Sequence, residues 1–231
     1  MNKRKLLYFK NIKLDPSNYV ILKNIFKIIQ VENIKQASKL SFKEKKDISV
    51  VYCDPNYFYS SSFLEEFLNL KFLVSSTTSI GFIDKKYCVK KKIKIISLEN
   101  DQKFLKSITP TAEHVFGLIL LITRDYFKAI NSVNLGKFNR RPFGGFGMLS
   151  KLKLGIIGYG RLGKIVKKIA NGFGMKSYVC DTRLSNYKKS LKRIFKKSDI
   201  VTLHIPSEKN YKFFSQKKIS FIKKPFFLIN T

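Results

Sequence analysis

A run of spaced glycines near the middle of the chain constrains the fold more than any other feature. Gly155-Ile-Ile-Gly158-Tyr-Gly160-Arg-Leu-Gly163 follows an apolar, strand-like run from Lys153 to Ile157 and opens a helix-like run from Leu162 to Phe173. A second apolar run, Lys176 to Cys180, ends in Asp181. Strand, glycine turn, helix, strand and acid, in that order, form the first βαβ unit of a dinucleotide-binding fold. Gly158 permits the tight turn. Gly160 puts no side chain between the backbone and a pyrophosphate, and Gly163 lets the helix pack closely on the strand. The helix start, where Arg161 and Leu162 sit, offers free N–H groups and a positive dipole end to phosphates. Asp181 is placed to accept hydrogen bonds from the adenosine ribose hydroxyls and to repel an added 2′-phosphate. This predicts NAD over NADP, with Arg183 as a nearby cation that could partly neutralise that phosphate.

Composition narrows the classes. A chain of 231 residues accommodates one large or two small domains, and 44% hydrophobic content can fill a core. No apolar run approaches the ~18 residues of a membrane span, Phe116 to Ile122 being the best candidate. The basic N-terminus is followed only by Leu6 to Phe9, too short for a signal peptide. Cys53, Cys88 and Cys180 are odd in number and form no C-x-x-C, which predicts reduced thiols in a cytoplasmic protein. The net charge of +31 invites a nucleic-acid reading, but only seven of the 46 basic residues are Arg, and the lysines run along the whole chain. With Lys, Ile, Asn and Phe all abundant, an A/T-rich coding bias and a lysine-coated surface explain the charge. No specific nucleic-acid partner is expected, only non-specific attraction to polyanions at low salt. No metal-ligand spacing and no G-x-S-x-G turn occur.

The first hundred residues alternate strands and amphipathic runs. Leu6–Phe9, Ile48–Cys53, Lys71–Ser75 and Ile93–Ser97 read as strands. Asn18–Ile29, led by Asp15-Pro16-Ser17, and Ser62–Leu70 read as helices. A long helix is expected from Thr109, as its cap, with Pro110 and Glu113 in its first turns, to about Ile130. Asn131 to Ser150 reads as an irregular crossing segment. The second half continues with a basic helix at Asn186–Lys197, a strand at Asp199–His204, a short helix at Lys217–Lys223 and a strand at Phe226–Asn230. The expected fold class is α/β: an incomplete Rossmann-type parallel sheet plus a flavodoxin-like N-terminal domain.

With these parts in place, residues from about Leu70 to Thr231 resemble a D-isomer-specific 2-hydroxyacid dehydrogenase of the phosphoglycerate dehydrogenase type. Ser76-Thr-Thr-Ser-Ile-Gly-Phe-Ile-Asp84 is similar to the family loop whose backbone N–H groups hold the substrate carboxylate, which implies Ser76, Thr77 and Thr78 as substrate-binding residues. Thr111-Ala-Glu-His114 resembles the start of the family's Ala-Glu-His helix. Ser198 to Pro206 resembles the strand whose His-x-Pro end lies beside the cofactor, and Leu228 to Thr231 the strand before an Asn-Thr-x-Arg-Gly signature. His204, Pro206 and Asn230 thereby join Gly158, Gly160, Arg161, Leu162, Gly163 and Asp181 as implied cofactor-binding residues. The resemblance implies a substrate domain over 1–105 and an NAD-binding domain over 106–231. It also implies hydride transfer between NAD(H) and a 2-hydroxy or 2-keto acid, 3-phosphoglycerate among the candidates, and a homodimer when complete.

Departures accompany the likeness. Ser79 stands where the family usually has Gly, and Phe138 where it has Trp. The family's catalytic Arg would come three residues after Asn230, with an acid and a His farther on, and the chain stops at Thr231. No catalytic residue is therefore assigned, and a truncated chain that turns over no substrate and folds poorly is expected. His114 and His204 do not occupy the catalytic position. A non-catalytic NAD-binding protein and a basic polyanion binder are the alternatives.

Overall fold

The computed structural model describes residues 3–139, 141–143, 145, 147–206 and 212–231, with all their side chains except those of residues 100 and 102. The chain divides into two compact units, Met1–Leu105 and Lys106–Thr231.

The first unit is built on five parallel strands: β1 (Arg4–Phe9), β2 (Phe26–Val31), β3 (Ile48–Tyr52), β4 (Phe72–Ser75) and β5 (Lys94–Ser97), in the order β2-β1-β3-β4-β5. That is the flavodoxin-like order. Its helices are α1 (Pro16–Ile25), α2 (Ile34–Ser38), α3 (Phe42–Asp47), α4 (Ser61–Leu64) and α5 (Lys85–Lys90), while α6 (Gln102–Ser107) straddles the division. Leu7, Phe9, Val51, Tyr59, Phe63 and Leu73 are buried together, and Phe9, Tyr59 and Phe63 meet edge to face. Two expectations fail here. The helix expected over Asn18–Ile29 ends at Ile25, and Phe26 turns extended to begin β2, because pairing of Ile28 and Ile29 with Leu6 and Leu7 outweighs the helical period. The Ser62–Leu70 helix is a single turn followed by turns.

The second unit holds four parallel strands: β6 (Lys153–Ile157), β7 (Lys176–Cys180), β8 (Ile200–Leu203) and β9 (Phe227–Asn230), in the order β7-β6-β8-β9. Its helices are α7 (Pro110–Thr123), α8 (Tyr126–Asn134), α9 (Arg161–Gly172), α10 (Tyr187–Lys197) and α11 (Gln216–Ile219). The sheet is covered on both faces. Leu154 and Ile156 pack with α7 and α9 through Val115, Ile119, Val166 and Ala170, while Ile157 and Val201 pack with α10 through Leu191, Ile194 and Phe195. β9 forms an edge of this sheet, with Leu228 exposed.

The long helix expected from Thr109 to Ile130 is two helices, because Asp125 takes a left-handed conformation, φ 50°, between them. Thr109 does not cap through its side chain. Its hydroxyl donates instead to the Glu113 carboxylate. α8 extends to Asn134 into the segment expected to be irregular, of which residues 140, 144 and 146 lie outside the described residues. The stretch Lys103–Thr123 is long and apolar enough, by length and mean hydropathy, to cross a bilayer, which corrects the expectation drawn from Phe116–Ile122 alone. Its Ala112, Val115, Phe116 and Ile119 side chains are buried in the core of the second unit. All three cysteines are free and buried.

Candidate functional site

β6 is the strand at which the second sheet changes direction: the chain runs out to β7 on one side and returns to β8 on the other. Open α/β sheets leave a crevice beyond the carboxyl ends of the strands at such a point. Gly158 leaves β6 there, its N–H donating to the Cys180 carbonyl (2.8 Å), while the His204 N–H donates to the Ile157 carbonyl (2.7 Å). The turn is thus pinned between the ends of β7 and β8. A cavity of about 620 Å³ opens at this place, lined in part by Gly158, Gly160, Asp181, Arg183, His204 and Pro206.

The three glycines are needed for different reasons. Gly158 has φ +94°, and a Cβ there would overlap the His204 carbonyl. A Cβ on Gly163 would overlap the Gly158 carbonyl, so this residue sets how closely α9 approaches the strand. Gly160 differs: the nearest atom to its built Cβ is Arg183 Nη2 at 3.7 Å, so the space above it stays open. Gly160 is also the N-cap of α9 and makes no side-chain cap, leaving the first N–H groups of the helix to an incoming acceptor. Open space over a glycine, a helix N-terminus and a polar rim form a cradle that fits a pyrophosphate.

Asp181 closes one side. Its Oδ2 accepts from the Tyr159 N–H (2.7 Å) and from Arg183 Nη2 (2.8 Å), and its Oδ1 accepts from the Arg183 N–H (3.0 Å) and Nε (2.8 Å). The Arg183 guanidinium, helped by the two backbone N–H groups, holds this nearly buried carboxylate far below the usual range. His204 lies opposite, with Nε2 2.9 Å from Thr202 Oγ1. Burial pushes its pKa down to about 4, so the imidazole is neutral at ordinary pH.

Some implied residues lie outside the cavity lining. Arg161 starts α9, but its Nη1 donates to the Ile108 carbonyl (2.8 Å). Leu162 and Gly163 belong to the first turn of α9, with Gly163 buried beneath the glycine turn. Asn230 is exposed at the end of β9. Conversely, Cys180, Thr182, Tyr187, Ile205 and Phe213 line the cavity without having been singled out. Cys180 and Ile205 adjoin marked residues and were readable by position, whereas Phe213 had no signal.

In the first unit, Ser76, Thr77 and Thr78 follow β4 at the carboxyl edge of the sheet. The Thr77 N–H donates to Ser75 Oγ (3.3 Å) and its hydroxyl to the Ser79 carbonyl (2.6 Å), so side-chain hydroxyls shape the loop. Ser79 does not take a positive φ, and a serine therefore fits where a glycine was expected. Asp54, buried one residue past the Cys53 N–H that pairs with Val74, shares this edge and keeps its Oδ2 without a hydrogen-bond partner. His114 lies exposed on α7.

Comparison with known proteins bears on these arrangements. The pattern of the family described as "D-isomer specific 2-hydroxyacid dehydrogenase, NAD binding domain" matches residues 116–231. A glycerate dehydrogenase of Methylorubrum extorquens is 29% identical over 174 residues, covering 73% of this chain and 54% of that protein. A hydroxypyruvate reductase of Thermotoga maritima is 29% identical over 178 residues, covering 74% and 56%. The chain thus spans about half the length of the curated relatives it matches. In three dimensions it is similar to the D-lactate dehydrogenase of Aquifex aeolicus, solved with NAD and lactic acid, with a TM-score of 0.78 and 23% identity over 97% of this chain and 68% of that one.

Proposed function

The chain belongs to the D-isomer-specific 2-hydroxyacid dehydrogenase family and carries that family's NAD-binding domain, and on that premise we propose that it serves hydride transfer between NAD(H) and a 2-hydroxy or 2-keto acid. The observation that carries the reading is the cradle at Gly160, an open position over a helix N-terminus, walled by Asp181 and His204. The backbone N–H groups at the start of α9 hold the pyrophosphate, Gly158 and Gly163 fix the turn that presents them, and Asp181 with Arg183 faces the adenosine ribose. The nicotinamide, when bound, takes or gives the hydride at C2 of the acid. His204, neutral and tied to Thr202, lines the cavity as a hydrogen-bonding wall.

The Ser76–Thr78 loop is the proposed seat of the substrate carboxylate, with 3-phosphoglycerate and glycerate-like acids among the substrates to be tried. Residues 1–231 taken alone are proposed to bind the cofactor without turnover, since His114 is not among the residues lining the cavity and the His204 ring is engaged with Thr202. The reduced, buried cysteines favour a cytoplasmic setting. A homodimer is proposed for the complete protein, with a candidate surface in α8 and the segment after it, where Phe127, Ile130, Val133, Leu135 and Phe138 are all more than half exposed.

Gly160→Val tests the reading. A side chain there meets open space, so the fold should survive while the pyrophosphate loses its seat. Calorimetry with NAD should show at least about a tenfold loss of affinity with an unchanged melting curve. Unchanged NAD binding would place the cofactor elsewhere. NADH oxidation with a panel of 2-keto acids, including 3-phosphohydroxypyruvate, then compares the chain with a version extended by a homologous C-terminal segment. Equal rates would end the proposal that the chain alone is inactive.

A further inference from the structure

The pattern of an acid at the end of the second strand foretells a carboxylate free to take the ribose hydroxyls, and the structure places a guanidinium on it instead. A carboxylate has about four lone-pair sites. On Asp181 four donors occupy them: the Tyr159 N–H, the Arg183 N–H, and Nε and Nη2 of the Arg183 side chain. The pair is strongly asymmetric in exposure, with 10% of the Asp181 side chain accessible against 70% of that of Arg183. The charge presented to solvent at this wall is therefore the cation. It also leans over the glycine turn, Nη2 standing 3.7 Å from where a Cβ of Gly160 would be. Asp181 uses two of the five guanidinium N–H donors, which leaves three for another acceptor.

We propose that Arg183 makes this chain a dual-cofactor binder, screening Asp181 and receiving the 2′-phosphate of NADP(H) as readily as the site receives NAD(H). The inference rests on the cofactor reading of the cavity. For the ribose diol of NAD to reach Asp181, the Arg183 side chain must give up both of its bonds to the carboxylate. A 2′-phosphate requires no such displacement. It meets a planar fork suited to phosphate oxygens, beside a carboxylate whose charge is already matched. The repulsion that ordinarily excludes NADP from an acid-ended strand is cancelled at its source.

The test is calorimetry on the 231-residue chain with NAD and NADP, at about 0.15 M salt so that the attraction of a +31 chain for the more anionic cofactor is damped. The two dissociation constants should lie within about tenfold of each other. Arg183→Ala and Arg183→Gln remove an exposed side chain and should shift the ratio at least about tenfold toward NAD, mainly by weakening NADP. Lys176→Ala removes the same charge at the opposite end of β7 and should leave the ratio unchanged. A wild-type preference for NAD above tenfold, a ratio that both Arg183 variants leave in place, or an equal shift from Lys176→Ala would each overturn the inference. NAD binding without NADP binding refutes the role of Arg183 alone. Failure of both cofactors to bind refutes the cofactor reading beneath it.

Discussion

At the carboxyl edge of the first sheet the chain turns through Ser75, Ser76, Thr77, Thr78 and Ser79, and hydroxyls bond to one another and to the backbone. At the same edge of the second sheet it turns through Gly158 and into Gly163, where backbone meets backbone and a Cβ on either would overlap a carbonyl, while Gly160 between them stays open. Both edges cap parallel sheets of one architecture. The hydroxyl turn is a shape held by several exchangeable bonds, each worth about 1 kcal/mol. The glycine turn is held by the absence of atoms. The two should therefore respond very differently to the same small change.

Gly163→Ala should give the largest effect. Its added carbon overlaps the Gly158 carbonyl, so α9 must move off the strand, at a cost of about 3 kcal/mol or more. Hydrogen exchange should show the loss in the second unit and leave β1, β3 and β4 protected. A variant melting within a degree of the parent would mean that the turn has slack. Acid comes next. Both histidines of the chain lie in the second unit, and the pKa of His204 is lowered by burial to about 4 from its ordinary 6.5. A histidine kept neutral on folding contributes stability that is fully present above the unfolded pKa and is lost as pH falls through it toward the folded one. The second unit should lose up to roughly 3 kcal/mol between pH 7 and 4. His204→Gln should flatten that slope. Asp181, depressed by Arg183, acts in the same direction at lower pH, below the usual aspartate value near 3.8. If both units soften equally between pH 7 and 5, the assignment to His204 is wrong.

Thr77→Val should cost only about 1 kcal/mol, confined to the first unit, because Ser75 and neighbouring backbone can rearrange. Its sharper readout is binding of oxalate or a 2-hydroxy acid, which should weaken if the loop seats a carboxylate. Ile130→Glu on α8 should leave stability within about 0.5 kcal/mol. Sedimentation of the variant should show a monomer if that face joins two copies, and an unchanged species if it does not.

This contrast also explains what could be read in advance. The second unit was legible at Gly158 and Gly163 because close approach and, at Gly158, a left-handed φ leave so few residue choices that the pattern is nearly forced. β2 was not legible. Its Ile28 and Ile29 suit a helix face as well as a strand, and only pairing with β1 decides between them. The break at Asp125 escaped for a similar reason: an aspartate can take φ 50° but does not announce it. The Arg183 bridge was half legible. Its proximity to Asp181 was plain, but the occupancy of all four acceptor positions is a matter of side-chain rotamer, which no spacing encodes.

The five strands of the first sheet lie between residues 4 and 97, ahead of every residue of the glycine turn. The strand order nevertheless makes β1 an interior strand, paired with β2 on one side and β3 on the other, with Lys5 facing Ile48. On a ribosome adding 5–20 residues per second, β1 waits about 2–9 s for β3 to be made. During that wait Leu6, Leu7 and Phe9, all buried in the finished fold, are an apolar strand with an open flank. Arg4, Lys5 and Lys10 bracket that strand with like charge. Lys5 and Lys10, which in the finished fold pair with Asp47 and Glu32, can thus keep nascent chains on one message apart until the sheet closes.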